Sequence, residues 1–219
     1  MLGSPKTALL RVVAAVVESM NKSLEPRDYD DDAIVAEFSG QHVKTVQHLI
    51  KMLPTLPPQI RRHTVLAIGR LRVRSAAHTL FQLMLNEDDV ASVSAAALAD
   101  IAGRKLVQRA LSELSNAHPQ FVRYAIVEFL IFCNILTVEQ RVAFLTMCIS
   151  IALDQREGQA LRSRSLEALA VCNYHLDKRT RLARLILGVF ASLSTDSSKE
   201  VRASAVYALR LVRSGGTPE

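Results

Sequence analysis

The stretch EVRASAVYALRLV, Glu200–Val212, decides how the chain reads, because four other segments repeat its pattern. They are QIRRHTVLAIGRL from Gln59, DVASVSAAALADIA from Asp89, FVRYAIVEFLIFC from Phe121 and ALRSRSLEALAVC from Ala160. Alignment places an aliphatic residue at Ile60, Val90, Val122, Leu161 and Val201. An arginine follows at Arg61, Arg123, Arg162 and Arg202, whereas the second copy carries Ala91. Four residues after the aliphatic stands a small residue, Thr64, Ser94, Ser165 or Ala205, with Ile126 the exception. Eight residues after it comes Ile68, Leu98, Leu130, Leu169 or Leu209. Successive copies are 30, 32, 39 and 40 residues apart.

Positions 0, 4, 7, 8 and 11 of the pattern share one face of an α-helix. Small residues on that face let neighbouring helices approach closely. Between the copies lie other amphipathic segments. They are built on Leu80, Leu83 and Met84; on Leu106, Ala110, Leu111 and Leu114; on Val142, Leu145, Cys148, Ile149 and Ala152; and on Leu182, Leu185, Ile186, Val189, Phe190 and Leu193. Residues 41–56 read as the first helix of the pair that residues 59–71 complete. The unit is therefore a pair of antiparallel helices, repeated. One pair cannot bury its own apolar face, but a stack of pairs can.

The aliphatic-Arg-x-x-small-x-x-Ala-Leu cores are clearest in EVRASAVYAL from Glu200 and ALRSRSLEAL from Ala160. They resemble the HEAT repeats of armadillo-like α-solenoids, over residues 57–213. The resemblance implies an all-α fold: a right-handed HEAT-type superhelix of about five helix pairs preceded by one N-terminal helix. The expected organisation is an amphipathic helix over 1–24, an acidic linker over 25–40, the solenoid over 41–213 and a disordered tail over 214–219. The first helix rests on Leu9, Leu10, Val13, Val16, Val17 and Met20, with Ser4-Pro5 as its start signal. The linker is the run EPRDYDDD, residues 25–32.

Composition agrees. Of 219 residues, 49% are apolar and only 5% aromatic, with no Trp, a mixture that favours helix and excludes a disordered chain. No run approaches the roughly 20 apolar residues of a membrane span. Three cysteines exclude a disulfide framework and point to a reducing compartment. Arg11 interrupts any secretory apolar core. The expected location is the cytoplasm, with the nucleus as an alternative. Lys6 and Arg11 ahead of the first acid at Glu18 leave a mitochondrial presequence as a further one.

The formal charge is +6, and residues 57–219 hold 21 basic against 14 acidic residues. The turns that open the repeated helices carry Glu87-Asp88-Asp89, Asp154 with Glu157, and Asp196 with Glu200. Those that close them carry Arg70, Arg72 and Arg74; Arg104, Lys105 and Arg109; Lys178, Arg179, Arg181 and Arg184; and Arg210 with Arg213. One acidic edge and one basic edge follow. Acids at helix starts and bases at helix ends complement the helix dipole. Lys105, Arg109, Arg181 and Arg184 instead fall in opening turns, so the basic groups up to Arg184 are candidates for an anionic partner.

Positions 2, 6 and 9 of the repeated helix are expected to face a groove. They are Arg62, Leu66 and Gly69; Ser92, Ala96 and Ala99; Tyr124, Glu128 and Ile131; Ser163, Glu167 and Ala170; and Ala203, Tyr207 and Arg210. Glu128 and Glu167 oppose a phosphate backbone there, so the groove suits a protein segment. Arg62, Leu66, Tyr124, Glu128, Glu167, Tyr207 and Arg210 are the candidate contacts, with Tyr124 and Tyr207 as anchors.

No HxxxH, HExxH, CxxC, P-loop, GxGxxG or GxSxG occurs. The His-Glu pairs of HEAT-like iron hydroxylases are also absent from the sequence. No cofactor or metal is expected. Cys133, Cys148 and Cys172 fall on apolar helix faces and read as buried thiols. The expected function is non-catalytic: a scaffold or adaptor that binds a partner protein, or an acidic segment of one, through its concave helix surface. The chain would serve as a subunit of a larger complex. An alternative is a nucleic-acid-associated solenoid that uses the basic edge. A third is a HEAT-like DNA-repair glycosylase, whose aromatic cleft normally includes Trp.

Overall fold

The computed structural model describes residues 43–173 and 179–213, and every regular element among them is helical. The expected N-terminal helix, acidic linker and tail lie outside the described residues, as does Lys178. The chain divides into two compact units, Met1–Ala102 and Gly103–Glu219.

The first unit holds α1 (Val43–Met52), α2 (Pro58–Arg70), α3 (Ala77–Asn86) and α4 (Ala91–Ile101). A 3-10 turn at Leu53–Thr55 leads towards α2, which opens on Pro58, a residue whose fixed φ suits a first helical turn. Both stretches expected to be helical, 41–56 and 59–71, carry helices, α1 and α2. α4 packs on both α2 and α3. Leu49, Leu53, Val65, Ile68, Leu80, Phe81, Met84 and Leu98 form the core of this unit. Each such side chain contributes about 2 kcal/mol by leaving water.

Gly69 explains how closely α2 and α4 approach. A Cβ built on it would stand 2.7 Å from the Ala97 Cβ and 2.8 Å from the Ala97 Cα. Helix α2 then ends in a Schellman turn. The Arg72 amide donates to the Gly69 carbonyl at 2.9 Å and the Val73 amide to the Ile68 carbonyl at 3.1 Å. That turn needs a left-handed residue, and Arg72 fills it at φ 52°, where glycine is the usual occupant.

The second unit holds α5 (Arg104–Leu114), α6 (Gln120–Phe132), α7 (Val138–Leu153), α8 (Gln159–Asn173), α9 (Arg181–Leu193) and α10 (Lys199–Arg213). The pairs α5–α6, α7–α8 and α9–α10 pack together. The repeated helices α6, α8 and α10 pack in sequence to form one row, and α5, α7 and α9 form another. Thr137 and Gln140 close a capping box at the start of α7, and the Thr180 hydroxyl accepts from the Ala183 amide at the start of α9. These bonds satisfy amides that a helix start leaves open.

Phe129, Phe144, Phe190, Val122, Leu130, Leu145, Ile186 and Leu169 fill the core between the two rows. The bulky Ile126 and Phe129 of the third copy are fully buried. Val142 and Leu185, expected within the buried stripes of α7 and α9, are exposed. The neighbours of these helices cover a narrower arc than the apolar positions span.

Candidate functional site

In three of the copies the repeated arginine reaches the turn that opens the next copy. Arg61 donates through Nε and Nη2 to the Leu56 carbonyl, 3.2 and 3.0 Å away, just ahead of its own helix. Its Nη1 reaches forward to Glu87 at 3.1 Å, and Asp89 lies 3.9 Å away. Among the described residues, Arg123 makes the forward bond alone, to Glu157. Arg162 donates through Nε to the Ala152 carbonyl at 3.0 Å and through Nη2 to Asp196 at 2.5 Å. The carboxylates lie 26, 34 and 34 residues after their arginines.

Three acids of the expected acidic edge do more than complement helix dipoles, while Asp88, Asp89, Asp154 and Glu200 are exposed. Glu87, Glu157 and Asp196 are held in ion pairs by the preceding copy. Arg162 grips Asp196 with two N–H groups, a stronger match than a helix end offers. The hydrogen bond from Arg162 holds Asp196 below the usual aspartate range.

The expected groove positions are only partly exposed. Gly69, Ser163 and Ala170 are buried. The first is closed off by Ala97, and the other two are on α8, which is flanked on both sides by α6 and α10. Arg62 is exposed and Leu66 half-buried on α2. Tyr124, Glu128 and Glu167 are half-buried on α6 and α8, and Tyr207 and Arg210 are exposed on α10.

Arg164 gathers three of these candidates and was not among them. It donates to Glu128 at 2.9 Å and to Glu167 at 2.5 Å. Its guanidinium carbon also lies 5.9 Å from the Tyr124 ring centroid and 5.7 Å from that of Phe132, within cation–π range. The local signal is Arg164 three residues before Glu167, a spacing that brings side chains together on a helix. Phe132 and Val171, each ten residues after its copy's aliphatic, are also exposed and apolar. Burial, and then the Glu128 carboxylate, push the Tyr124 hydroxyl above its usual range.

Of the basic candidates, Arg70, Arg72 and Arg74 are exposed around the end of α2. Arg104, Lys105 and Arg109 are exposed on α5, where Arg109 lies 3.6 Å from Glu113. Arg179 is exposed ahead of α9, and Arg181 and Arg184 are exposed in its opening turns. Glu113 also accepts from His118 at 2.8 Å. Hydrogen bonds from His118 and Asn116 hold it below the usual glutamate range.

Cys133, Cys148 and Cys172 are buried free thiols, pushed above their ordinary range by burial. Among the described residues, no three His, Cys, Asp or Glu side chains converge where they could hold a metal ion. No helix among them is long and apolar enough to cross a membrane. No protein-family model matches the chain, and no curated protein matches it significantly.

Proposed function

We propose that the chain is a HEAT-type solenoid that acts without catalysis as a scaffold, holding a partner protein against the outward face of its repeated helices. Two findings support the solenoid part. Within the second unit, helices pack with their neighbours and with the second helix along. The Arg-to-carboxylate links recur between copies in both units.

The binding part is carried by one observation: the Arg164 cluster. Half-buried Tyr124 and exposed Phe132 lie against a guanidinium held by two carboxylates, and exposed Val171 stands seven residues after Arg164 on α8. Aromatic residues and arginine are the side chains that most often anchor protein interfaces, the aromatics because they bury much area at small entropic cost. A fixed Arg164 presents that surface preorganised.

The test is affinity purification followed by titration of the recovered partner in purified form. The Tyr124→Ala, Phe132→Ala double variant is expected to bind it at least about tenfold more weakly at unchanged helicity. Equal affinity removes this face from the function.

The basic groups support a second reading, binding to nucleic acid. Arg181 and Arg184 stand exposed at the start of α9, where the helix dipole disfavours cations. Such binding falls steeply with added salt. The Arg181→Glu, Arg184→Glu variant is expected to abolish it, and binding that ignores both salt and charge reversal removes the reading.

A further inference from the structure

We infer that the outer side of α10 is a docking site for an acidic, helix-starting segment of a partner protein, which hands a carboxylate to Arg202. The inference rests on the scaffold reading and names the partner's chemistry at one helix.

The side of α10 that α8 and α9 leave uncovered forms an open depression of about 450 Å³. Lys199, Arg202, Ala203, Val206, Tyr207 and Arg210 line it. The equivalents of Val206 one and two copies earlier are Leu166 and Val127, both fully buried. α8 is packed against α6 and α10 against α8. No described helix packs on α10 from the far side. Tyr207 is consequently 56% exposed, a large ring with room around it.

The chain itself shows what such a helix face receives. Arg61 and Arg162 each make two kinds of bond, backward to a carbonyl ahead of their own helix and forward to a carboxylate. Among the described residues Arg202 makes hydrogen bonds only of the backward kind, to the carbonyls of Asp196 at 2.5 Å and Ser197 at 2.8 Å, and the Asp196 carboxylate near it is already hydrogen-bonded by Arg162. Its Nε and Nη2 have no hydrogen-bond partner among the described residues. The carboxylates that fill the forward role, Glu87, Glu157 and Asp196, stand three, four and five residues ahead of the aliphatic that opens the next repeated helix. Lys199 and Arg210 add positive charge beside Arg202. An occupant that completes the pattern carries an acid a few residues before an amphipathic helix. Its apolar face would cover Val206 and Tyr207. The fork of Arg202 suits a carboxylate, and the flanking cations draw an acidic segment to it.

A direct probe is a fluorescein-labelled peptide with the sequence LNEDDVASVSAAALADIA, residues 85–102, titrated with the full chain by fluorescence polarisation. Within the chain this segment already gives Glu87 to Arg61. The expected result is saturable binding. It weakens at least about tenfold with Arg202→Gln, with Tyr207→Ala, or with a peptide whose first three acids are replaced by amides. Arg210→Gln, an exposed charge, repeats the test without touching the backward bonds of Arg202. The Tyr124→Ala, Phe132→Ala chain keeps full peptide binding, which separates this inference from the scaffold face. Absence of saturable binding overturns the proposal. So does binding indifferent to all three α10 substitutions, since the peptide would then be taking the place of α4 on α2. Self-association of the chain that Tyr207→Ala abolishes also overturns it, by assigning the face to a second copy.

Discussion

The joint between α2 and α4 in the first unit and the joint between α8 and α10 in the second use the same residue types at the same repeat position. They differ in water. Around Arg61, Glu87 and Asp89 keep 42% and 37% of their side-chain surface exposed. Arg162 and Asp196 are each only 5% exposed. The α2–α4 joint depends instead on Gly69 against Ala97, two backbones brought together by missing side chains. Comparison of the two shows that one sequence pattern sets the direction of the link, while burial sets what the link contributes. A half-exposed pair contributes little, whereas breaking a buried one strands a charge.

The largest expected effect is therefore at the buried joint. Asp196→Ala should cost about 3 kcal/mol in urea melts, because Arg162 stays charged and buried without its carboxylate. Arg162→Met with Asp196→Leu should recover most of that loss. If the double variant is as weak as the single, the pair is stabilising in its own right. Acid provides a second handle. Asp196 is held below its ordinary value by Arg162, so its contribution is present above about pH 4 and is lost as pH falls through the lowered value. The gap between wild type and Asp196→Ala should close progressively below about pH 4. A gap that stays constant to pH 3 would show that the carboxylate charge is not what holds the joint.

Next in size is the joint made by small residues. On an ordinary helix, Gly→Ala gains about 1 kcal/mol. At Gly69 the added methyl meets the Ala97 Cβ and Cα. Gly69→Ala should instead destabilise the first unit by about 2 kcal/mol, and Gly69→Ala with Ala97→Gly should recover part of it. Stabilisation by Gly69→Ala would show that α2 and α4 are free to move apart. Arg72 tests the turn beyond the same helix. It holds a left-handed φ of 52° that costs a side-chain-bearing residue about 1 kcal/mol relative to glycine. Arg72→Gly is expected to raise stability by about that amount, read as a higher urea midpoint at unchanged slope. No gain would mean that the side chain itself stabilises the turn.

Much of this was legible in the sequence. The copies beginning at Ile60, Val90, Val122, Leu161 and Val201 are where α2, α4, α6, α8 and α10 form, because a helix period of apolar and small residues is a local signal. The partners of the arginines were not legible. Pairing across 26 or 34 residues depends on how helices stack, and no local period records it. The same holds for Arg164. Its tie to Glu167 has helical spacing, but its tie to Glu128 crosses from α8 to α6. Position in the repeat alone puts Gly69, Ser163 and Ala170 on an open groove. Their burial depends on how closely neighbouring helices approach, which small residues permit but do not specify. The copy that lacks the arginine, at Ala91, lies in α4, the last helix of the first unit. The exception in the repeat and the division of the chain coincide there.

The smallest expected effect is the most discriminating. Glu87→Ala removes the forward carboxylate of the exposed joint, yet Arg61 keeps both bonds to the Leu56 carbonyl. Asp89, at 3.9 Å, is placed to take over. Arg61 is itself only 10% exposed, but the Leu56 carbonyl and Asp89 still accompany its charge once Glu87 is gone. The cost should be about 0.5 kcal/mol, and adding Asp89→Ala should raise it to no more than about 1 kcal/mol. The measurement is a pair of urea melts at low salt and at about 0.5 M salt, where screening over a few ångströms weakens an exposed pair further. A loss near that of Asp196→Ala, insensitive to salt, would mean that the Arg61 joint behaves as a buried one. Exposure of the carboxylates would then not be what separates the two joints. A small, salt-sensitive loss makes burial the variable, with the arginine pattern common to both.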